Sequence, residues 1–270
     1  MSEPLIRVER DGDIAVLTFD DPDRLNAMTE AMGHALRDAS AELVAAEGLR
    51  AVVLTGSGRA FSAGGDLEMI RSKGERATEN PGEPVRSENR EFMGRFYRLY
   101  LSVRDIPVPT LAAIHGPAIG AGLCVALGCD LRVAANEAKL GLNFTKLGIH
   151  PGMGATWTLP RIVGPARAAE LLYTGRILTG EEAERIGLVN RAVAKDDVLE
   201  TTMALAREIA TSGPLAVRGA KQALAQTFDR DLGEQLDFEA GQQALNYETQ
   251  DLAEGIRAVR EKRNPKFEDR

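Results

Sequence analysis

Cysteine is nearly absent from this chain: Cys124 and Cys129 are the only two in 270 residues. They lie in one apolar stretch at a spacing that points them in different directions on a helix, so both read as reduced core residues. A disulfide scaffold is excluded, and no Cys/His spacing suggests a metal site. Positive charge is also in deficit. Thirty-three Lys and Arg against 40 Asp and Glu leave a formal charge of −7, which gives no general attraction to nucleic acid or to an anionic membrane. A polyphosphate ligand would need a local basic patch. No apolar run is long enough to span a bilayer. The start, Met1-Ser2-Glu3-Pro4, has neither the basic residues nor the apolar core of a secretion signal, so a cytoplasmic location is expected. No linker divides the chain. Its hydrophobic content of 44% and charged content of 27% suit a soluble globular protein, read as one large domain or one domain with a helical extension.

Two glycine-rich turns organise what is there. An apolar run at 50–55 reads as a buried strand and leads into Phe61-Ser62-Ala63-Gly64-Gly65-Asp66-Leu67, after which residues 67–70 begin a helix. A strand that turns at glycines into a helix leaves backbone N–H groups unpaired at the helix N-terminus, where they attract negative charge. Taken alone, such a turn is more readily an ordinary Gly turn. Residues 106–130 repeat the design, with an apolar strand, the turn Gly120-Ala121-Gly122 and an apolar helix. Two such turns facing one point would form a two-donor oxyanion hole.

Around them the chain has a readable order. Residues 6–19 form a hairpin with Asp11-Gly12 at the turn, and Thr29 caps a helix whose buried face carries Met32, Leu36 and Leu43. Residues 71–90 are polar and aperiodic and read as a mobile loop or short irregular helix able to cover a site. Phe92, Phe96, Leu99, Val103 and Ile106 then mark one helical face that ends at Pro107. A strand at 131–134, short helical pieces to residue 186 and a strand at 188–193 follow. From residue 196 the chain reads as helix throughout.

The paired glycine turns resemble the two oxyanion-hole segments of the crotonase (enoyl-CoA hydratase/isomerase) superfamily. Further similarities follow in order: Arg24 to Met28, Gly148 to Gly154, Gly187-Leu188-Val189 and the tail from Glu261 to Phe267. The resemblance implies an α/β fold, a spiral of ββα units over 1–195 with a helical region at 196–270 that builds a homotrimer or homohexamer. It implies an acyl-CoA substrate and no separate cofactor, coenzyme A being part of the substrate. By position, the oxyanion donors would be the N–H groups of Gly65 and Ala121, the latter standing where the family often has glycine. Arg24 would meet the CoA phosphates, unless it is a solvated loop arginine. Ala63 and Leu67 would line the adenine and pantetheine path, and Asp66 would fix the turn beside it. Lys262 would reach the CoA of a neighbouring subunit, unless it is an ordinary basic residue at a helix C-terminus.

One departure bears on the reaction. Hydratases of this family position water with two glutamates, and the matching positions here hold Cys124 and Phe144. The usual acid/base pair is thereby removed and the site made more apolar. His150 borders the same pocket by family position and is either a base or a loop-bracing histidine. His115 reads as a loop brace, Glu68 as a helix N-terminal carboxylate, and Tyr97 and Tyr100 as minor candidates. The reading is an acyl-CoA enzyme of the hydratase/isomerase type with weak standard hydration. The alternative is a catalytically silent acyl-CoA-binding homologue acting as a sensor or partner subunit.

Overall fold

The computed structural model describes residues 4–269; Met1, Ser2 and Glu3, on which the reading of the start partly rests, lie outside it. The strands are β1 (Ile6–Asp11), β2 (Ile14–Phe19), β3 (Ala51–Gly56), β4 (Thr110–Ile114), β5 (Ala118–Ile119), β6 (Leu131–Ala135), β7 (Leu140–Gly141) and β8 (Arg191–Val193). The helices up to the last strand are α1 (Glu30–Val44), α2 (Leu67–Glu79), α3 (Glu83–Leu101), α4 (Ala121–Gly128), α5 (Ala155–Val163), α6 (Pro165–Thr174) and α7 (Gly180–Arg185). Beyond it come α8 (Val198–Ala210), α9 (Pro214–Ala225), α10 (Leu232–Tyr247) and α11 (Gln250–Glu261).

One six-stranded sheet, ordered β1-β2-β3-β4-β6-β8, carries the core. Only the β1–β2 hairpin is antiparallel, with Asp11 opposite Ile14, so the two loop residues are Gly12 and Asp13, one position later than Asp11-Gly12. The remaining pairs are parallel. Strands β3 and β4 are buried along almost their whole length, as strands covered on both faces must be. Helix α8 packs across β3, β4 and β6 and closes one face with Val198, Thr202, Met203 and Ala206. A helix from beyond residue 195 is thus part of the sheet's cover.

The second layer is a ribbon of short extended pieces, each following a sheet strand. Met28 pairs with Gly65, Ser62 with Ala118, β5 with β7, and Leu140 with Leu178. Long strand, short strand, helix is therefore a repeating unit: β3, the 62–65 segment and α2 make one, and β4, β5 and α4 make the next. Asn26 ties the first ribbon segment down. It is fully buried, its side-chain amide donates to the carbonyls of Ala60 (2.9 Å) and Ser57 (3.0 Å), and its Oδ1 accepts from Asp21 N at 2.9 Å.

Residues 71–90 differ from the expectation. They are two regular helices, the body of α2 and the start of α3, joined at residues 80–82. Asp66 caps α2 by accepting from Met69 N at 2.8 Å, and Arg71 bridges Glu68 and Glu75 along its surface. Arg76 pairs with Glu88, and Lys73 Nζ stands 3.4 Å from the centre of the Phe92 ring. Helix α2 has no fully buried residue; Met69 in its first turn packs partly against the core, and a cap, charge pairs and one cation–π contact hold the rest. None of these produces an apolar period in the sequence.

Replacing Asn26 tests the ribbon's anchoring. Asn26→Ala leaves several buried carbonyls without a donor and should lower stability by about 2–4 kcal/mol. Urea unfolding followed by circular dichroism reads this directly, and a loss below about 1 kcal/mol would remove Asn26 as an anchor.

Candidate active site

Three backbone segments run side by side at one end of the sheet. Residue 28 donates to Gly64 O at 2.8 Å, Ala63 N donates to Leu25 O at 2.9 Å, and Ser62 N donates to Pro117 O at 3.0 Å. Ile119 N closes the set on Ser62 O at 3.1 Å. Ser62 Oγ adds side-chain bonds, donating to Asn26 O at 2.8 Å and accepting from Gly64 N at 3.1 Å. The approach is close enough to require glycine. A Cβ on Gly64, whose φ is +91°, would collide with the Ile119 carbonyl and stand 3.4 Å from Ala121 N. A Cβ on Gly122 would lie 2.6 Å from Ser62 O. The two glycine turns are therefore in contact, as two turns facing one point need to be.

The directions of their amides follow from the bonds their carbonyls make. In a trans peptide the C=O and the next N–H point opposite ways. Gly64 O accepts from Met28, so the N–H of Gly65 points away from residue 28, toward the second turn. Gly120 O accepts from Cys124 N inside α4, so the N–H of Ala121 points back out of the helix. Among the described residues neither N–H has an acceptor. Ala121 is the first residue of α4, where amides have no intrahelical partner and the helix dipole adds positive potential.

These turns open into a cavity of about 530 Å³. Of the residues singled out in the sequence, Arg24, Ala63, Gly65, Asp66, Leu67, Ala121, Phe144 and His150 all line it. Lys262 does not; it is the C-cap of α11, in left-handed conformation at φ 53°. Arg24 at the mouth is half exposed and ion-paired with Asp66, which also caps α2. Glu68 pairs with Arg71 at the surface. His150 is exposed, and its Nδ1 lies 2.8 Å from Pro151 O. Because a carbonyl can only accept, Nδ1 carries the proton and Nε2 is the free nitrogen.

The remaining candidates separate by position. His115 braces the loop after β3 through Nε2 and Gly58 O at 3.1 Å, and burial pulls its pKa down. Tyr100 is fully buried with its hydroxyl donating to Thr29 O at 2.6 Å. Cys124 is fully buried and absent from the cavity lining; its Sγ turns to Gly152 O at 3.6 Å, and burial pushes the thiol's pKa well above the usual range. Phe144 lies across the N-terminal turn of α4, its Cζ 3.9 Å from where a Gly120 Cβ would be.

Sequence reasoning missed the cavity's apolar wall. Met69 and Ile70 of α2 and Met93 and Phe96 of α3 form it, with Met153 below. Phe96, on the helical face that reads as core, is both buried and cavity-lining. No residue of 71–90 lines the cavity; the residues of α2 and α3 that do lie at 67–70 and 93–97, on either side of that segment.

Comparison with known proteins identifies the family. The family model described as enoyl-CoA hydratase/isomerase matches residues 9–270. A putative enoyl-CoA hydratase of Thermus thermophilus is 40% identical over 97% of this chain and 100% of its own length. The crotonyl-CoA hydratase of Syntrophomonas wolfei is 34% identical over 97% of both chains. Among solved structures, an enoyl-CoA hydratase from Bacillus anthracis superposes with a TM-score of 0.89 at 34% identity, covering 98% of this chain and 100% of that one. The fold is the crotonase fold that the glycine turns implied, and the chain belongs to the enoyl-CoA hydratase/isomerase family.

Proposed function

We propose that this protein binds acyl-CoA thioesters and stabilises the enolate, or the tetrahedral oxyanion, formed at the thioester carbonyl. The observation that carries this is the pair of unpaired amides, Gly65 N–H and Ala121 N–H, on two turns pressed together at the head of an apolar cavity. Negative charge gathers on the carbonyl oxygen as the reaction proceeds. Preorganised donors meet it there without reorganising, and each is worth about 10²–10³ in rate. Arg24 at the mouth supplies the local positive charge for the CoA phosphates, with Ala63, Asp66 and Leu67 along the path. The apolar wall suits a hydrocarbon acyl chain.

The acid/base equipment is reduced. The two positions where hydratases carry glutamates hold a buried thiol that does not line the cavity and a phenyl ring. The carboxylates in the lining, Asp66 and Glu68, are engaged with Arg24 and Arg71. His150, whose Nε2 has no partner among the described residues, is the imidazole in the lining. This engagement of both carboxylates also favours a second reading, an acyl-CoA binder without turnover. A panel of acyl-CoAs separates the two: binding without any product supports the silent homologue.

Assembly belongs to the same proposal. Helices α9 to α11 and their links expose Leu224, Phe228, Leu232, Leu245, Tyr247 and Val259, large apolar side chains that association would cover. We assign them to a homotrimer or homohexamer in which Lys262 reaches a neighbour's CoA.

Three outcomes test these statements. Gly65→Pro deletes one donor, while Gly65→Ala keeps it and meets only Ile70 Cδ1, at 3.3 Å. Infrared difference spectra of bound thioester should show the carbonyl shift kept in the alanine variant and lost in a folded proline variant; a shift kept in both would remove Gly65 from the hole. Crotonyl-CoA hydration by the wild type should be slower than in a two-glutamate relative by at least about 10³, and slower again in His150→Ala. A rate equal to the relative's would show that a base other than a glutamate at 124 or 144 does the work. Light scattering should return three or six copies, and Lys262→Ala should weaken CoA binding without dissociating them; a micromolar monomer contradicts the assembly.

A further inference from the structure

Sulfur is scarce in this chain, and the part of it that an oxidant can reach lies in one wall. The chain has seven methionines, of which Met1 is outside the described residues. Met28, Met32 and Met203 are buried, and so is Met153, which borders the cavity but is only 1% exposed. Met69 and Met93 are the two left partly exposed. Both cysteines are buried as well, and burial raises their thiol pKa, that of Cys129 to about 12. A thiol kept protonated and out of solvent is inert to peroxide, because the thiolate is the form that reacts. Among the described residues, the accessible sulfur is therefore thioether, at positions 69 and 93.

The two come from different helices and meet at the same cavity. Met69 sits in the first turn of α2, where its N–H donates to the Asp66 cap at 2.8 Å. Met93 lies on α3, next to the Phe92 ring that carries Lys73 of α2 on its face. Both side chains pack against the core and line the cavity beside Ile70 and Phe96.

Oxidation changes what this wall can hold. A thioether is apolar and adapts its shape to a neighbour. Its sulfoxide is polar and chiral, and its oxygen loses hydrogen bonds to water when an apolar chain covers it without a donor. We propose that Met69 and Met93 are oxidation sites, and that their conversion to sulfoxides by a hydroperoxide weakens the hold of the cavity on an acyl chain. In this step a sulfur lone pair forms the S–O bond as the O–O bond breaks. Sulfur is oxidised by two electrons, and hydrogen peroxide is reduced to water. The effect on binding rests on the acyl-thioester reading above; the selectivity of oxidation does not.

Dilute hydrogen peroxide acting on the full chain tests it, with peptide mass mapping and isothermal titration of hexanoyl-CoA before and after. Oxygen should enter at 69 and 93 before it enters at 28, 32, 153 or 203. Affinity for hexanoyl-CoA should then fall about tenfold, as covering a polar group without a partner implies, while circular dichroism stays unchanged. A pair of methionine sulfoxide reductases, one for each epimer, should restore it. In the double variant Met69→Leu/Met93→Leu, whatever affinity it starts from, the same treatment should change nothing. Oxygen spread evenly over the six positions overturns the proposal, as does an affinity unmoved once 69 and 93 are oxidised. A loss that the double variant shares, or that comes with unfolding, overturns it too. Failure of the untreated protein to bind hexanoyl-CoA overturns the acyl-thioester reading and the effect on binding, and the mapping alone then decides which methionines are oxidation sites.

Discussion

Everything at the proposed site depends on how closely two backbones approach. The 62–65 and 117–120 segments are neighbours in the ribbon, joined by Ser62 N to Pro117 O and Ile119 N to Ser62 O. Side chains at Gly64 or Gly122 would force them apart. With the segments joined, two peptide units already fixed by their carbonyl bonds present their N–H groups to one region. In the proposed oxyanion hole, catalytic value follows from that rigidity. Donors held by the fold need not reorient as charge develops, and a surrounding wall of Met69, Ile70, Met93 and Phe96 keeps the local dielectric low, which strengthens them.

Charge at this site is arranged to spare the cavity. Asp66 is spent twice, capping α2 through Met69 N and pairing with Arg24. Glu68 is drawn to the surface by Arg71. Both acids lie next to the glycine turn in sequence, and neither leaves an uncompensated negative charge where an oxyanion would form. A free carboxylate there would repel the same charge that the two amides attract. The pairing with Asp66 also orients Arg24 at the mouth, the place proposed for the CoA phosphates.

Two tyrosines on one helix illustrate how position alone separates roles. Tyr97 and Tyr100 are three residues apart on α3, less than one turn. Tyr100 meets the carbonyl end of the Thr29 cap and is fully consumed by the core. Tyr97 meets Gly152 and the cavity. The chemistry of the side chains is identical, and only the partner backbone differs.

Much of the fold was legible in the residues themselves, because local rules set it. The hairpin at 6–19, the Thr29 cap and the helices after residue 196 follow from alternation, capping and helical period, and the glycine turns follow from the strand–glycine–helix pattern. Helices α2 and α3 between 71 and 90 were not legible as regular structure, since charge pairs and a cap hold them where no apolar stripe exists. The loop position of the hairpin was off by one, as turn type depends on backbone angles that residue identity constrains weakly. The site divides the same way. Gly64, Gly65 and Gly120 to Gly122 announce turns, but a sequence carries no information on whether two turns 55 residues apart touch. That was decided by the parallel order β3-β4, which sets their ribbon segments side by side. Whether Cys124 lines the cavity, and which tyrosine faces it, depends on the packing of α3 against α4 and the 152 backbone. Those are contacts between distant segments, and they exist only once the chain has folded.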